Sequence, residues 1–322
     1  LNTVVEEYKI VMQNKGLGEY GTEKRSTVPD IIDAFVSEES KNKSWTGSTA
    51  DKFFALQKHL RDFSVRRNKE LRFDNLQEKD LNDFFDYLGD VLKNSNTTLQ
   101  KKTAFVRWYL RWANRKGYYK GDLHETFRPK FKGGNFEQHK IIFLTQEELK
   151  ALEEKDFAPN QSHLEHVRDV FLFACYSGLR HSDVSALTPA NISNDSIEIV
   201  TKKTNDRLII NLNKHTRTIL DKYKEWARIS GKCLPVISNQ KTNDYLKELC
   251  KLCGIDTPTT QIHFKRDRRI EVCCPKYELI TFHAARRTFI THALRLGIPV
   301  PVIMKFSGHH STNILADRKS VV

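Results

Sequence analysis

His283-Ala284-Ala285-Arg286-Arg287-Thr288-Phe289 is the stretch of this 322-residue chain on which its fold and chemistry turn. Ala285, Phe289, Ala293 and Leu296 recur at helical spacing and predict a helix over about 282–296 with those four on its buried stripe. At the ~100° step per residue, Arg286 lies about 60° from the centre of that stripe and Arg287 about 160° away. Arg286 is therefore expected half-buried at the margin, where it can be aimed. Arg287 is expected to meet solvent or a distant phosphate. His283 opens the helix with room to donate to an anion.

Three further constellations lie on either side. Ser177-Gly178-Leu179-Arg180-His181-Ser182-Asp183 follows an apolar helix over Val170 to Tyr176. An arginine on a glycine-punctuated bend can offer a bidentate fork to a phosphate, or satisfy the last carbonyls of its own helix. Lys202-Lys203-Thr204 sits at the tip of a predicted hairpin, where Ile197-Glu198-Ile199 alternates, Thr204-Asn205-Asp206 turns and Arg207 to Leu212 returns. Phe306-Ser307-Gly308-His309-His310 places imidazoles on a bend after a short helix from Pro299 to Phe306. Each alone reads as ordinary surface chemistry.

Charge narrows the function. Lys+Arg 53 against Asp+Glu 40 give a formal net charge of +13, with an isoelectric point near 9.4. Such a surplus favours a polyanionic partner. The composition, with 39% hydrophobic residues and a mean hydropathy of −0.56, is that of a soluble globular chain. No apolar run reaches the roughly 18 residues of a membrane span, and no secretory signal is visible. Six cysteines are too sparse for a disulfide scaffold, so a reducing, cytoplasmic setting is expected. Cys250-x-x-Cys253 with Cys273-Cys274 imitates a zinc ribbon. Leu246, Cys250 and Cys253 lie on one apolar helical stripe, however, and buried structural thiols with no metal are the better reading.

Along the chain, residues 1–26 form an N-terminal fragment or linker helix. Residues 27–120 read as a four-helix domain, with runs through Phe53, Leu56, Leu60 and Phe63, through Leu81, Phe84, Phe85 and Leu88, and through Leu99, Val106, Tyr109 and Leu110. Polar residues 121–142, with Pro129 and Gly133-Gly134, read as a linker. Residues 143–316 form a mixed α/β second domain, opened by a Thr145/Glu148 capping box, with further helices at about 215–229 and 239–253. In the first domain Arg66, Arg67, Lys101, Lys102, Arg107, Arg111 and Arg115 cluster on two helices. Arg107, Arg111 and Arg115 share one face with few acidic partners opposite, which suits phosphate contact.

Taken together and in this order, Arg180, Lys203, His283-x-x-Arg286 and Gly308-His309 resemble the tyrosine recombinase (phage integrase) family over almost the whole chain. The resemblance is strongest to integrases of Bacteroidetes mobile elements, through Pro275-Lys276-Tyr277-Glu278-Leu279-Ile280. It implies a mainly α chain with a small β-sheet: a four-helix, SAM-like core-binding domain followed by a mixed α/β catalytic domain. The implied activity is site-specific recombination of double-stranded DNA, as a homotetramer on its sites, through a 3′-phosphotyrosine and without metal or other cofactor. Arg180 and Arg286 would clamp the nonbridging oxygens of the pentacoordinate transition state, with His283 and His309 donating hydrogen bonds. Lys203 would protonate the leaving 5′-oxygen, and Asp183 would brace the site.

The chain departs from that family at one point. The family's nucleophilic tyrosine falls here on Arg318, and no tyrosine follows Tyr277. Asp317 to Val322 matches one reading frame of a sequencing adapter, so residues 317–322 are expected to be a non-native tail on an incomplete catalytic domain, at the end of a fragment that lacks its nucleophile. The rival expectation is a non-catalytic, integrase-derived DNA-binding regulator. The five clustered residues Arg180, Lys203, His283, Arg286 and His309 favour the enzyme. A generic RNA-binding protein fares worst, for want of aromatic RNA-binding motifs.

Overall fold

The computed structural model describes residues 27–43, 45–133, 141–202 and 205–309. They form two compact units. The first takes the described residues before 140 together with Ile262–Glu271, and the second takes the rest.

In the first unit, α1 (Ile32–Lys43), α2 (Gly47–Arg66), α3 (Glu78–Asp86) and α4 (Asn96–Arg115) bury the apolar stripes expected of them, including Phe53, Leu60, Phe84, Leu99 and Leu110. Ser95 starts α4 by accepting from the Thr98 N–H, which supplies one of the acceptors that a helix N-terminus lacks. Phe35 is the hub of the core. Its ring meets Phe53 at 4.8 Å, and Tyr109 and Trp112 at 5.3 Å, all edge to face. Trp112 is thus a core residue and no part of a basic surface.

Beside this cluster the carboxylate of Glu39 is buried. It accepts from Trp108 Nε1 at 3.0 Å and pairs with Lys43 at 2.7 Å and Arg115 at 3.3 Å. Acidic partners therefore do stand opposite that helix face: a second one, Glu38, pairs with Lys116 at 2.8 Å. They escaped sequence reading because α1 lies far from α4 along the chain.

The expected linker is shorter than 121–142. Residues 123–126 form α5 (Leu123–Thr126), and Leu123 and Phe127 are buried in the first core. One helical turn is too short to register as periodicity. Residues 134–140 of that linker lie outside the described residues, as do 1–26 and 310–322.

The second unit is built around α7 (Ser162–Ser177), which follows α6 (Gln146–Glu153) with its Thr145/Glu148 box formed on both sides. Val170 to Cys175 are all buried, as a helix apolar all round must be. Then come α8 (His181–Ala186), the antiparallel hairpin β1 (Ser196–Val200) and β2 (Arg207–Asn211), α9 (Lys214–Lys222) and α10 (Lys224–Ser230). Ile197 faces Ile210 and Ile199 faces Leu208 across the hairpin, and all four are buried. The single helix expected at 215–229 breaks at Tyr223, whose buried hydroxyl donates to Asp169 at 2.8 Å.

Next is α11 (Asn239–Leu252), where Leu246 and Cys250 are buried and Cys253 half-buried; Cys273 is exposed. Burial pushes the Cys250 thiol well up, as suits an inert core residue. A second hairpin, β3 (Pro258–Lys265) and β4 (Arg268–Pro275), was not expected from the sequence. Its strands are mostly part-exposed, and their residues lack the apolar alternation of a half-buried strand. The chain closes through α12 (Lys276–Leu279), α13 (His283–Arg295) and α14 (Val300–Ser307).

The tip of the second hairpin completes the first unit. Asn96, itself buried, accepts from the Arg266 N–H at 2.8 Å and donates to the Arg266 carbonyl at 2.7 Å. The Arg266 guanidinium forks onto Asp90 at 2.9 and 3.0 Å and reaches Asp86 at 2.6 Å.

Two outcomes follow for the first unit. Trp108→Phe keeps the ring but takes a donor from the buried Glu39 carboxylate. It should cost about 1–3 kcal/mol in a denaturant melt, and an unmoved midpoint would mean Lys43 and Arg115 suffice. Burial and the Lys102 ammonium, which donates to His59 Nδ1 at 3.1 Å, hold the His59 imidazole below its ordinary value. Folding therefore favours its neutral form, and stability is lost as pH falls below the unfolded value of about 6.5. His59→Gln should flatten that part of a stability-versus-pH curve, and an equally steep decline in the variant would remove His59 as its source.

Candidate active site

The site grows from the end of α7. Gly178 ends that helix with φ +73°, and a Cβ there would also stand 2.7 Å from the Phe289 ring, so both backbone and space require glycine. The turn presents the Gly178 carbonyl to Arg286 and carries the chain into α8 with Arg180 at its start.

Arg286 is only 2% exposed, so the expectation of a half-buried marginal arginine is corrected: it lies in the interior. Its Nη1 donates to the Gly178 carbonyl at 3.0 Å, and its Nη2 donates to the Ser307 carbonyl. These are the C-terminal ends of α7 and α14, where exposed carbonyls carry partial negative charge. The wheel misplaced the stripe because Leu296 lies beyond α13 and is 74% exposed, while Ala284, Arg286, Thr288 and Ile290 turn inward with Ala285 and Ala293. Arg287 is half-buried, has no ion-pair partner among the described residues, and is pushed down by that burial.

His309 follows the left-handed Gly308, and its Nδ1 lies 3.3 Å from Arg286 Nη2 and 2.7 Å from the Ser307 hydroxyl. That hydroxyl gives its own proton to the Ile303 carbonyl at 2.6 Å, so the shorter contact has Nδ1–H donating to Ser307.

Arg180 and Asp183 form a looser pair. Nη1 and Oδ2 are 3.8 Å apart, beyond a hydrogen bond, and both atoms are buried without a partner. Asp183 Oδ1 accepts the Lys202 N–H at 3.1 Å, which ties the hairpin turn to α8. Lys203, the expected proton donor, lies outside the described residues.

Arg180, His283 and Arg286 converge on one cleft of about 530 Å³, which His181, Asn239 and Asn243 also line. Among the described residues no carboxylate lines it. The two guanidiniums give it a surplus of positive charge that suits a phosphate. Sequence reading found the three charged residues and missed His181, Asn239 and Asn243. Only a helix at about 239–253 was legible there, and its existence does not say which way it faces.

The basic residues of the first unit divide in two. Arg66, Lys101 and Arg111 are exposed. Arg67 is held by Asp80 at 2.7 Å, Lys102 by His59, Arg107 by the His124 carbonyl at 3.0 Å, and Arg115 by Glu39.

A helical domain with a paired-arginine cleft in a mixed second domain is the architecture of a DNA strand-transfer enzyme. Residues 142–317 match the phage integrase family and residues 27–132 the phage integrase SAM-like domain, and the chain belongs to that family, the site-specific tyrosine recombinases. Its fold is similar to that of a lambda integrase dimer bound to a COC′ core site, with 16% identity and a TM-score of 0.65, covering 91% of this chain and 95% of that one. It is similar also to the Tn1549 transposon integrase in complex with a circular intermediate DNA, with 12% identity and a TM-score of 0.62, covering 91% and 94%. A lambda integrase tetramer bound to a Holliday junction matches with 15% identity and a TM-score of 0.61, covering 89% and 78%. No protein of curated function matches the chain in sequence. No helix among the described residues is long and apolar enough to cross a membrane.

Arg286→Met keeps the aliphatic stem but strands the Gly178 and Ser307 carbonyls, and should cost about 3 kcal/mol or more in a chemical melt. Arg287→Met should cost about 1 kcal/mol or less. The reverse ranking would place the wrong arginine in the core.

Proposed function

We propose that the cleft at Arg180, His283 and Arg286 holds the scissile phosphate of duplex DNA during recombination through a phosphotyrosine. The observation that carries this is the meeting of Arg180, His283 and Arg286 on one cleft that no carboxylate of the described residues lines. Arg180 has donors to spare for a nonbridging oxygen. Arg286 spends its own on two helix ends and contributes fixed positive charge. His283 supplies a further donor, His309 does so from Nε2 when its imidazole is doubly protonated, and charge that develops on the phosphorane meets groups already in place. Asp183 holds the backbone of Lys202, and through it sets where Lys203 can reach to protonate the leaving 5′-oxygen. Arg66, Lys101 and Arg111 are the residues of the first unit best placed to meet phosphates. The catalytic assembly is a homotetramer on two DNA sites, acting on nucleoid DNA in a bacterial cytoplasm.

The nucleophile is unassigned: no tyrosine follows Tyr277 in the sequence given. The chain as it stands should bind duplex DNA with an affinity that falls steeply with salt. Replacing Lys101 and Arg111 by alanine should flatten that slope, and an unchanged slope would show this face to be merely solvated. On a nicked substrate no covalent adduct should form. Replacing the residues after Ala316 by a family-like helix with tyrosine at position 318 should produce one, and Arg180→Ala in that protein should slow it more than roughly a hundredfold. An adduct that never forms in the repaired protein would favour the non-catalytic regulator.

A further inference from the structure

The helix that carries His283 and Arg286 begins without a cap of its own. Its flanking residue, Phe282, has helical φ and ψ, and no side chain caps the first turn in the usual way. A helix start exposes backbone N–H groups that need acceptors, and here the need is sharp because Phe282 is 2% exposed. The acceptor comes from a different helix. Asn243, in the second turn of α11, takes the Phe282 N–H on its Oδ1 at 2.8 Å. The N–H fixes the amide's orientation and so leaves the NH2 end of Asn243 without a hydrogen bond among the described residues, on a side chain that lines the cleft.

The Phe282 ring is gripped as well. It packs edge-on against Phe171 at 5.9 Å and against the His181 imidazole at 4.9 Å. His181 follows Arg180 directly and approaches the Thr242 hydroxyl at 3.4 Å. The start of α11 thus touches both arms of the phosphate clamp: Arg180 through His181, and His283 with Arg286 through Phe282.

We propose that Asn243 is a positioning residue of the active site, capping α13 from α11 so that His283 and Arg286 are held opposite Arg180. The proposal rests on the reading of the cleft as a phosphate site, and its test separates the two. The full chain is titrated with inorganic phosphate while the His283 imidazole signals are followed by NMR, and exchange of the Phe282 amide is measured in parallel. Asn243→Leu, close in shape but without an acceptor, should expose the Phe282 amide to exchange. It should also weaken the His283 response about tenfold, the scale of one lost hydrogen bond. Asn243→Asp keeps the acceptor and should keep the amide protected, while its charge weakens phosphate binding.

An Asn243→Leu protein that is less stable but answers phosphate at the same concentration as the parent would overturn the positioning role and leave the phosphate site standing. A parent chain whose His283 signals ignore phosphate would overturn the site and the proposal together. Should Asn243→Leu fail to fold, Asn243→Asp decides: a protected Phe282 amide supports the cap, and an unprotected one overturns it.

Discussion

The second unit depends on how it accommodates the charge of Arg286. A guanidinium removed from water must find strong acceptors, and burial with a carboxylate is the usual solution. Here the acceptors are the terminal carbonyls of two helices, at Gly178 and Ser307. Helix ends carry part of a negative charge, which suits them as acceptors for a guanidinium. One side chain thus ties α7, α13 and α14 together. Gly178 is what makes this possible: its left-handed turn both ends α7 and leaves room for the Phe289 ring.

Arg180 solves the opposite problem. A full carboxylate stands nearby, but Asp183 spends one oxygen on the Lys202 backbone and holds the other 3.8 Å from Nη1. A closed bidentate pair would have taken more of the Arg180 donors. The two arginines thus differ: Arg286 is bound to two helix ends, and Arg180 stands beside a carboxylate without a hydrogen bond to it.

Much of this was legible in the residues. The helical stripes of the first unit and the β1–β2 hairpin follow from spacing and turn chemistry, and Arg180 and His283 stand at the bend and helix start expected of them. What could not be read depended on partners distant in sequence. Glu39 beneath Arg115, the carbonyls that draw Arg286 inward and the reach of Asn243 to Phe282 are encounters between separate elements, to which periodicity is blind. The β3–β4 hairpin escaped for another reason, since it buries too little on either face to leave an alternating pattern.

That hairpin bears on how the protein is made. Asn96 is buried early in the sequence, yet two of its hydrogen bonds are to Arg266, and Ile262–Glu271 count among the residues of the first unit. A ribosome adding about 5–20 residues per second needs on the order of ten seconds to travel from His139 to Ile262. Throughout that interval the nascent helical unit waits with the Asn96 amide oxygen and the Asp86 and Asp90 carboxylates lacking their Arg266 partner. Its last stabilising piece arrives only after most of the other unit has emerged, so the two cannot mature as independent beads on a growing chain.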